Sequence, residues 1–206
     1  MTVEAVIFDI GNVLVEWRPE AYFDRVYGIE RRTAMFAMAD LHGMNDLLDA
    51  GAAWQDTVYD WAERHPDWRT EIRDWHDNWI KLASPLIPHS LRLMRALKAR
   101  GVPVFALTNF GAQSFAYARG EYVFLSEFDR AYVSGQMKVT KPDPVIYQMV
   151  EDDCGIPPER LFFTDDRREN IAAAETRGWQ THLFEHPQGL ADRLVDLRLL
   201  TPDEAR

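Results

Sequence analysis

Three short apolar runs, far apart in the chain, each stop at a polar side chain where a loop should begin. Residues 3–8 end at Asp9, residues 102–107 at Thr108-Asn109, and residues 161–163 at Thr164-Asp165-Asp166. None alternates apolar with polar positions, which is the pattern of a strand buried on both faces. The β-branched Val3, Val6 and Ile7 support a first strand over 3–10, stopped by Gly11-Asn12. From there to about residue 84 the spacing is helical and no strand is predicted. Pro19 suits a first helical position and Gly28 an end. Trp68, Ile72, Trp75, Trp79 and Leu82 fall on one helix face, and His65-Pro66 separates them from an earlier helix carrying Trp54, Val58 and Trp61. Five of the seven tryptophans lie between residues 54 and 79, so the core of this stretch is expected to be largely indole, with one or two left to line a substrate pocket.

Helix and strand alternate after Pro85. Leu91, Met94 and Leu97 mark a helix closed by Gly101 and followed by the strand over 102–107. A short helix over 113–118 precedes a weaker strand at 130–133. Pro142 and Pro144 mark the entrance to a helix over 144–150. A strand at 161–164, a helix at 169–177 closed by Gly178, a strand at 180–184 and a helix at 190–200 complete the pattern. Residues 201–206 are expected to fray. Regular alternation with short loops predicts a doubly wound parallel sheet of the α/β class. Ligands of such sheets gather at the carboxyl ends of the strands, which makes Asp9, Thr108, Asp165 and Asp166 the first candidates.

Composition narrows the chemistry. A chain of 206 residues can hold one sizeable core, or a core with a small insert. The net charge of −10 argues against a general nucleic-acid binder, which would carry a basic face. It leaves a phosphate substrate open, because a lysine and a metal can outweigh the global field locally. Cys154 is the only cysteine, so an intramolecular disulfide is excluded. With no basic-then-apolar leader and no apolar run of membrane-spanning length, the expected location is cytoplasmic, without a membrane partner.

Taken singly, the polar residues have ordinary explanations. Asp9 could be a metal ligand, a nucleophile or a cap for the next turn. Thr108-Asn109 could cap a loop or clamp a phosphate, and Lys141 could be a solvated lysine. Asp165-Asp166 is the least ordinary, because adjacent carboxylates repel and call for a cation.

Their order is more informative. Phe-Asp-Ile-Gly-Asn-Val-Leu, Leu-Thr-Asn, Lys-Pro-Asp-Pro-Val-Ile-Tyr and Phe-Thr-Asp-Asp-Arg-Arg-Glu-Asn-Ile follow one another as in the haloacid dehalogenase-like hydrolase superfamily, which the chain resembles over nearly its whole length. The opening Asp-Ile-Gly-Asn-Val looks most like the branch containing bacterial sugar-1-phosphatases, with the phosphatase domain of soluble epoxide hydrolases a more distant likeness. The resemblance implies a Rossmann-like core over 1–16 and 85–206, and an all-helical cap over 17–84. It also implies a Mg²⁺-dependent phosphatase acting on a small phosphorylated metabolite, a sugar phosphate among the options, as a monomer or homodimer. Asp9 would be the nucleophile that forms an aspartyl-phosphate. Asp9, Asp166 and the Gly11 carbonyl would hold Mg²⁺, with Asp165 beside the metal or behind its ligands. Thr108, the Asn109 backbone N–H and Lys141 would bind phosphoryl oxygens, and Lys141 would keep Asp9 ionised. Asn170 would orient its loop.

One departure stands out. Many phosphatases of this superfamily carry a second Asp two residues after the nucleophile, as general acid and then base, a step worth about 10²–10⁴-fold. Here that position is Gly11. Either another group supplies the proton, with Glu16, His42 and His76 as candidates, or the leaving group needs little help. Two rivals follow: a 2-haloacid dehalogenase using Asp9 without metal, and a catalytically silent binding or regulatory module.

Overall fold

The computed structural model describes residues 2–206. Ala5–Phe8 forms β1, buried along its whole length. The chain then folds tightly over one carbonyl: the N–H groups of Val13, Leu14 and Val15 all donate to Ile10. Asn12 sits in the left-handed region at φ 56, which asparagine tolerates, and its side-chain oxygen accepts from the N–H of Trp17 (2.9 Å). That turn delivers β2 (Val15–Trp17). Six helices follow, α1 (Pro19–Tyr27), α2 (Ile29–Ala39), α3 (Leu41–Asp49), α4 (Trp54–Arg64), α5 (Arg69–Asp77) and α6 (Trp79–Leu82). β3 (Ala83–Leu86) then pairs antiparallel with β2, so the helical stretch leaves and rejoins the rest of the chain through two adjacent strands. Neither strand is predicted from the sequence. β2 has three residues and β3 contains Pro85, too little for an alternation, and each is defined by a partner on the far side of six helices.

The remainder alternates as α7 (Pro88–Ala99), β4 (Val104–Thr108), α8 (Ala112–Glu121), β5 (Arg130–Val133), α9 (Ser134–Met137), α10 (Pro144–Cys154), β6 (Leu161–Asp165), α11 (Arg168–Thr176), β7 (Gln180–Leu183) and α12 (Pro187–Asp196). Five strands form one parallel sheet in the order β5-β4-β1-β6-β7. Val6 stands opposite both Val104 and Phe162. Successive residues of a strand point to opposite faces, and two cores result. Val6, Phe8, Val104 and Phe162 pack with Leu93, Met94 and Leu97 of α7 and Leu190 and Leu194 of α12. Ala5, Ile7, Leu107 and Phe163 pack with Ile146, Tyr147 and Val150 of α10 and Ile171 of α11. The expected doubly wound α/β sheet is present, with β1 at its centre. Among the described residues no helix is long and apolar enough to cross a membrane.

The indole-rich stretch is a core, as its spacing suggests, but not one helix. Ile72, Trp75, Trp79 and Leu82 are buried, whereas the helix breaks at Asn78, whose side-chain amide bonds the Asp74 carboxylate. Asparagine favours such local side-chain bonds over continued helix. Trp68 lies in a 3-10 turn, half-buried beneath the Arg31 guanidinium at 4.6 Å. Trp75 is completely buried, 5.7 Å from Trp17 edge-to-face and 6.0 Å from Phe23.

Residues 201–206 do not fray. Ala205 is buried, its carbonyl 2.8 Å from His89 Nε2, and Glu204 joins Arg100 (2.9 Å) to the N–H of Thr201 (2.7 Å). His89 and Arg100 are distant in sequence and leave no local pattern. Truncating Trp75 tests the indole core: Trp75→Ala should lower stability by about 3–5 kcal/mol, measured by urea unfolding at pH 7.

Candidate active site

The sheet order brings the predicted residues together. β1 lies between β4 and β6, so Asp9, Thr108 and Asp165 leave neighbouring strand ends side by side. The N–H of Asp9 donates to the Thr164 carbonyl (2.9 Å), which extends the β1–β6 ladder one residue and fixes where its side chain begins. Asp9 is 7% exposed, Thr108 1% and Asp165 fully buried.

Lys141 arrives from the loop between α9 and α10 and is held at its backbone by Asn109. The Asn109 side-chain oxygen accepts from the N–H of Lys141 (2.8 Å) while its amide donates to the Lys141 carbonyl (2.9 Å). The sequence suggests a phosphate contact or loop cap for Asn109. The two-bond clamp on a residue 32 positions away is what that reading misses. All three ammonium protons of Lys141 are matched: Nζ lies 2.6 Å from Asp165 Oδ2, 2.9 Å from Asp9 Oδ1 and 2.9 Å from the Leu107 carbonyl. Burial alone would lower the Lys141 pKa, but Asp165 and Asp9 outweigh it and the pKa is raised, so the ammonium stays charged.

The two adjacent carboxylates divide their work. Asp165 is saturated by the protein, because Oδ1 accepts from the N–H of Arg167 (2.8 Å) and the Asn170 amide lies 3.0 Å from both oxygens, in addition to Lys141. Asn170, in the first turn of α11, thus holds the Asp165 carboxylate, where the sequence reading has it orienting its loop. Asp166 is half-buried and receives one bond, from Asn12 Nδ2 (3.0 Å). Oδ2 of Asp9 has no hydrogen-bond partner among the described residues. Burial pushes the Asp9 carboxyl up to about 7, with Asp165 and Asp166 adding to the rise and Lys141 opposing it. Burial also raises Asp166, against the Asn12 bond.

A divalent cation fits this donor set. Asp9, Asp165 and Asp166 each offer a carboxylate oxygen within 4.8 Å of the others, and three carboxylates face a single ammonium. At an effective dielectric of about 20, two unit charges 4 Å apart interact by roughly 4 kcal/mol, so one lysine leaves a substantial excess of negative charge. The oxygens left free belong to Asp9 and Asp166, and hard oxygen donors suit Mg²⁺.

Above the strand ends lies a cleft of about 220 Å³. The strand ends and the loop before α10 contribute Asp9, Thr108, Lys141 and Asp166 to its lining, and β2 and the helices contribute a wall with Trp17, His42, Asp49, Trp75 and Trp79. Two of the tryptophans at helical spacing therefore face the cleft as well as the core. Gly11 lines it too, and a Cβ there would meet only the Trp17 Cβ at 3.8 Å, ordinary contact, so local crowding does not dictate glycine. Of the candidate acids, Glu16 is paired with Arg18 (3.0 Å) and His76 is packed on Trp54 and bonded to Asp77 (2.9 Å); neither lines the cleft. His42 does, but it is exposed and lies 3.1 Å from Glu20. Asn12 and Asp49 are the residues that sequence reasoning passes over, since nothing local marks their partners.

Residues 3–178 match the model of the haloacid dehalogenase-like hydrolases. The chain belongs to this family. A drimenol cyclase of Aspergillus calidoustus is 25% identical over 95% of this chain, which spans only 36% of that protein's length. A sesquiterpene phosphatase of Aspergillus oryzae is 33% identical over 86% of this chain and 87% of its own length. Among solved structures, a HAD family enzyme of Bacteroides thetaiotaomicron in complex with magnesium and inorganic phosphate has a TM-score of 0.61 and 21% identity, covering 87% of this chain and 93% of that one. At that identity the likeness is one of fold.

Lys141 offers a direct test of the cluster. Lys141→Met leaves Asp9 and Asp165 buried without their cation, and breaking a buried pair in this way should cost about 3–5 kcal/mol, measured by urea unfolding at pH 7.

Proposed function

We propose that this protein is a Mg²⁺-dependent phosphatase in which Asp9 attacks the phosphorus of a small phosphate ester. The observation that carries the reading is the state of Asp9 itself: one oxygen held by Lys141 at 2.9 Å, the other free and facing a cleft shared with Asp166 and Thr108. In this reading Asp9, Asp166 and the Gly11 carbonyl hold the metal, and Asp165 stands behind them to anchor Lys141. When bound, Mg²⁺ supplies positive charge that offsets the repulsion between the carboxylates and a phosphate dianion.

The protein's own groups do the rest. Lys141 orients Asp9 and favours its ionised form, and, with its three protons matched by Asp9, Asp165 and the Leu107 carbonyl, it offers phosphoryl oxygens its charge. The Thr108 hydroxyl and the Asn109 N–H do likewise as charge spreads over those oxygens. Asp9 forms an aspartyl-phosphate, and water then hydrolyses it. Helices α1–α6, residues 17–84, serve as a cap on a core of residues 1–16 and 85–206. The cap contributes the indole wall that the leaving group meets. That wall suits a flat or apolar alcohol, the class named for the sesquiterpene phosphatase relative, and indole faces also stack on sugars. The dehalogenase alternative gives Asp166 no task, since a metal-free displacement does not call for a free carboxylate held by Asn12 beside the nucleophile.

Hydrolysis of p-nitrophenyl phosphate, and of a panel including sugar-1-phosphates and prenyl or terpenyl monophosphates, should require Mg²⁺ and stop with EDTA. Asp9→Asn should abolish it, and Thr108→Ala should lower kcat by about 10²–10³-fold. Halide release from a 2-haloacid that ignores the chelator, with no phosphatase activity, would overturn the assignment.

A further inference from the structure

Asp49, at the end of α3, is a carboxylate in the cleft for which the roles above have no use. Its Oδ2 accepts from Asn45 Nδ2, one turn back, at 3.0 Å. Its Oδ1 has no hydrogen-bond partner among the described residues. The end of α3 is fixed against the core by bonds that do not involve the carboxyl group. The Asp49 carbonyl accepts from Ser134 Oγ (2.6 Å), and that same oxygen accepts from the N–H of Phe110 (2.9 Å), two residues beyond Thr108. Lys138 Nζ donates to the Gly51 carbonyl (2.7 Å) just after it. The end of α3 is thereby held against the segment after β5, with Asp49 on the lining of the cleft.

In-line displacement at phosphorus puts the leaving oxygen on the side opposite the nucleophile. Asp9 enters the cleft from the end of β1, and Asp49 lines the same cleft from a different element, the end of α3. We propose that Asp49 donates the proton to the leaving-group oxygen, and afterwards accepts one from the attacking water, the part that Gly11 cannot play. This rests on the phosphatase reading. In the first step the bond from Asp9 to phosphorus forms, the bond from phosphorus to the ester oxygen breaks, and the Asp49 proton moves to that oxygen to release an alcohol. In the second, water attacks phosphorus, its proton passes to the Asp49 carboxylate, and the bond to Asp9 breaks to release inorganic phosphate. The surroundings suit a group that must hold and return a proton near neutrality. Burial pushes the Asp49 carboxyl up to about 7, helped by Asp46 on the same helix and Asp9 across the cleft, and opposed by Lys141 and Asn45. Asp46 and His42 also line the cleft, but both are exposed.

The test compares two esters that differ in their need for a proton: a simple alkyl phosphate and p-nitrophenyl phosphate, both with Mg²⁺. For Asp49→Asn, the loss in kcat/KM should be greater for the alkyl ester than for the aryl ester by about 10²-fold or more. The aryl ester should also show a burst of p-nitrophenol before slow turnover, because water attack on the aspartyl-phosphate has lost its base. Asp49→Ala serves the same comparison if the amide disturbs the helix end, with folding checked by circular dichroism. A loss equal for both esters, in an enzyme that still depends on Asp9, overturns the role of Asp49 alone. Wild-type turnover that is absent, or that survives Asp9→Asn, overturns the phosphatase reading and this one with it.

Discussion

A buried ammonium between two carboxylates sets the arrangement of this site. Lys141 meets Asp9 and Asp165 with its side chain about 1% exposed, a placement that would be costly for any of the three alone. Desolvating an ion costs several kcal/mol, and only close partners return it. The surrounding structure supplies that closeness. Asn109 grips the Lys141 backbone, Asn170 and the N–H of Arg167 saturate Asp165, and the Leu107 carbonyl takes the remaining ammonium proton. These groups come from β4, the loop before α10, the end of β6 and the first turn of α11. Placing β1 between β4 and β6 is therefore what allows the cluster to exist. A buried ion pair of this kind is weak support for stability and strong support for geometry, because it tolerates little displacement.

The opposite wall is built from different physics. Trp75 and Trp79 are buried among Trp17, Phe23 and Trp54 and also border the cleft. One set of indoles thus completes the core of the helical stretch and forms the apolar face over the strand ends. The β2–β3 pair holds both connections to the core together, while the end of α3 is bonded directly to the segment after β5. An apolar wall facing a charged floor leaves the few polar groups on the wall with unusual weight.

Some of this is written locally in the chain and some is not. Asp9, Thr108, Asp165 and Asp166 are legible because an apolar run that ends in a polar residue marks a strand end, and strand ends in parallel sheets converge. Lys141 becomes legible only through its order among the other motifs. The clamp by Asn109, the bond from Asn12 to Asp166 and the position of Asp49 are invisible to periodicity, since each depends on a partner far along the chain. The same applies to β2 and β3, which are strands only because they meet each other, and to Ala205, which is buried only because α7 lies beneath it. The helix expected through Trp68 and Leu82 shows the converse: correct spacing locates the buried face but does not register the break that Asn78 introduces.

Asp165 and Asp166 are indistinguishable as a sequence pair, and the backbone is what separates them. Successive residues leaving a strand point to opposite sides. Asp165, the last residue of β6, turns inward to Lys141, and Asp166 turns toward Asn12 and the cleft. One carboxylate is consumed in positioning, which leaves the other free to act as a ligand. Gly11 follows a related logic. Its backbone lies outside the left-handed region and its Cβ position is uncrowded, so neither backbone conformation nor contact at Cβ demands glycine there. With glycine at that point, the role proposed for Asp49 would place proton transfer at the end of α3 rather than in the loop after β1. Under that proposal the proton donor would belong to the same helical segment whose indoles line the cleft, which would tie proton transfer to the part of the chain proposed to meet the leaving group.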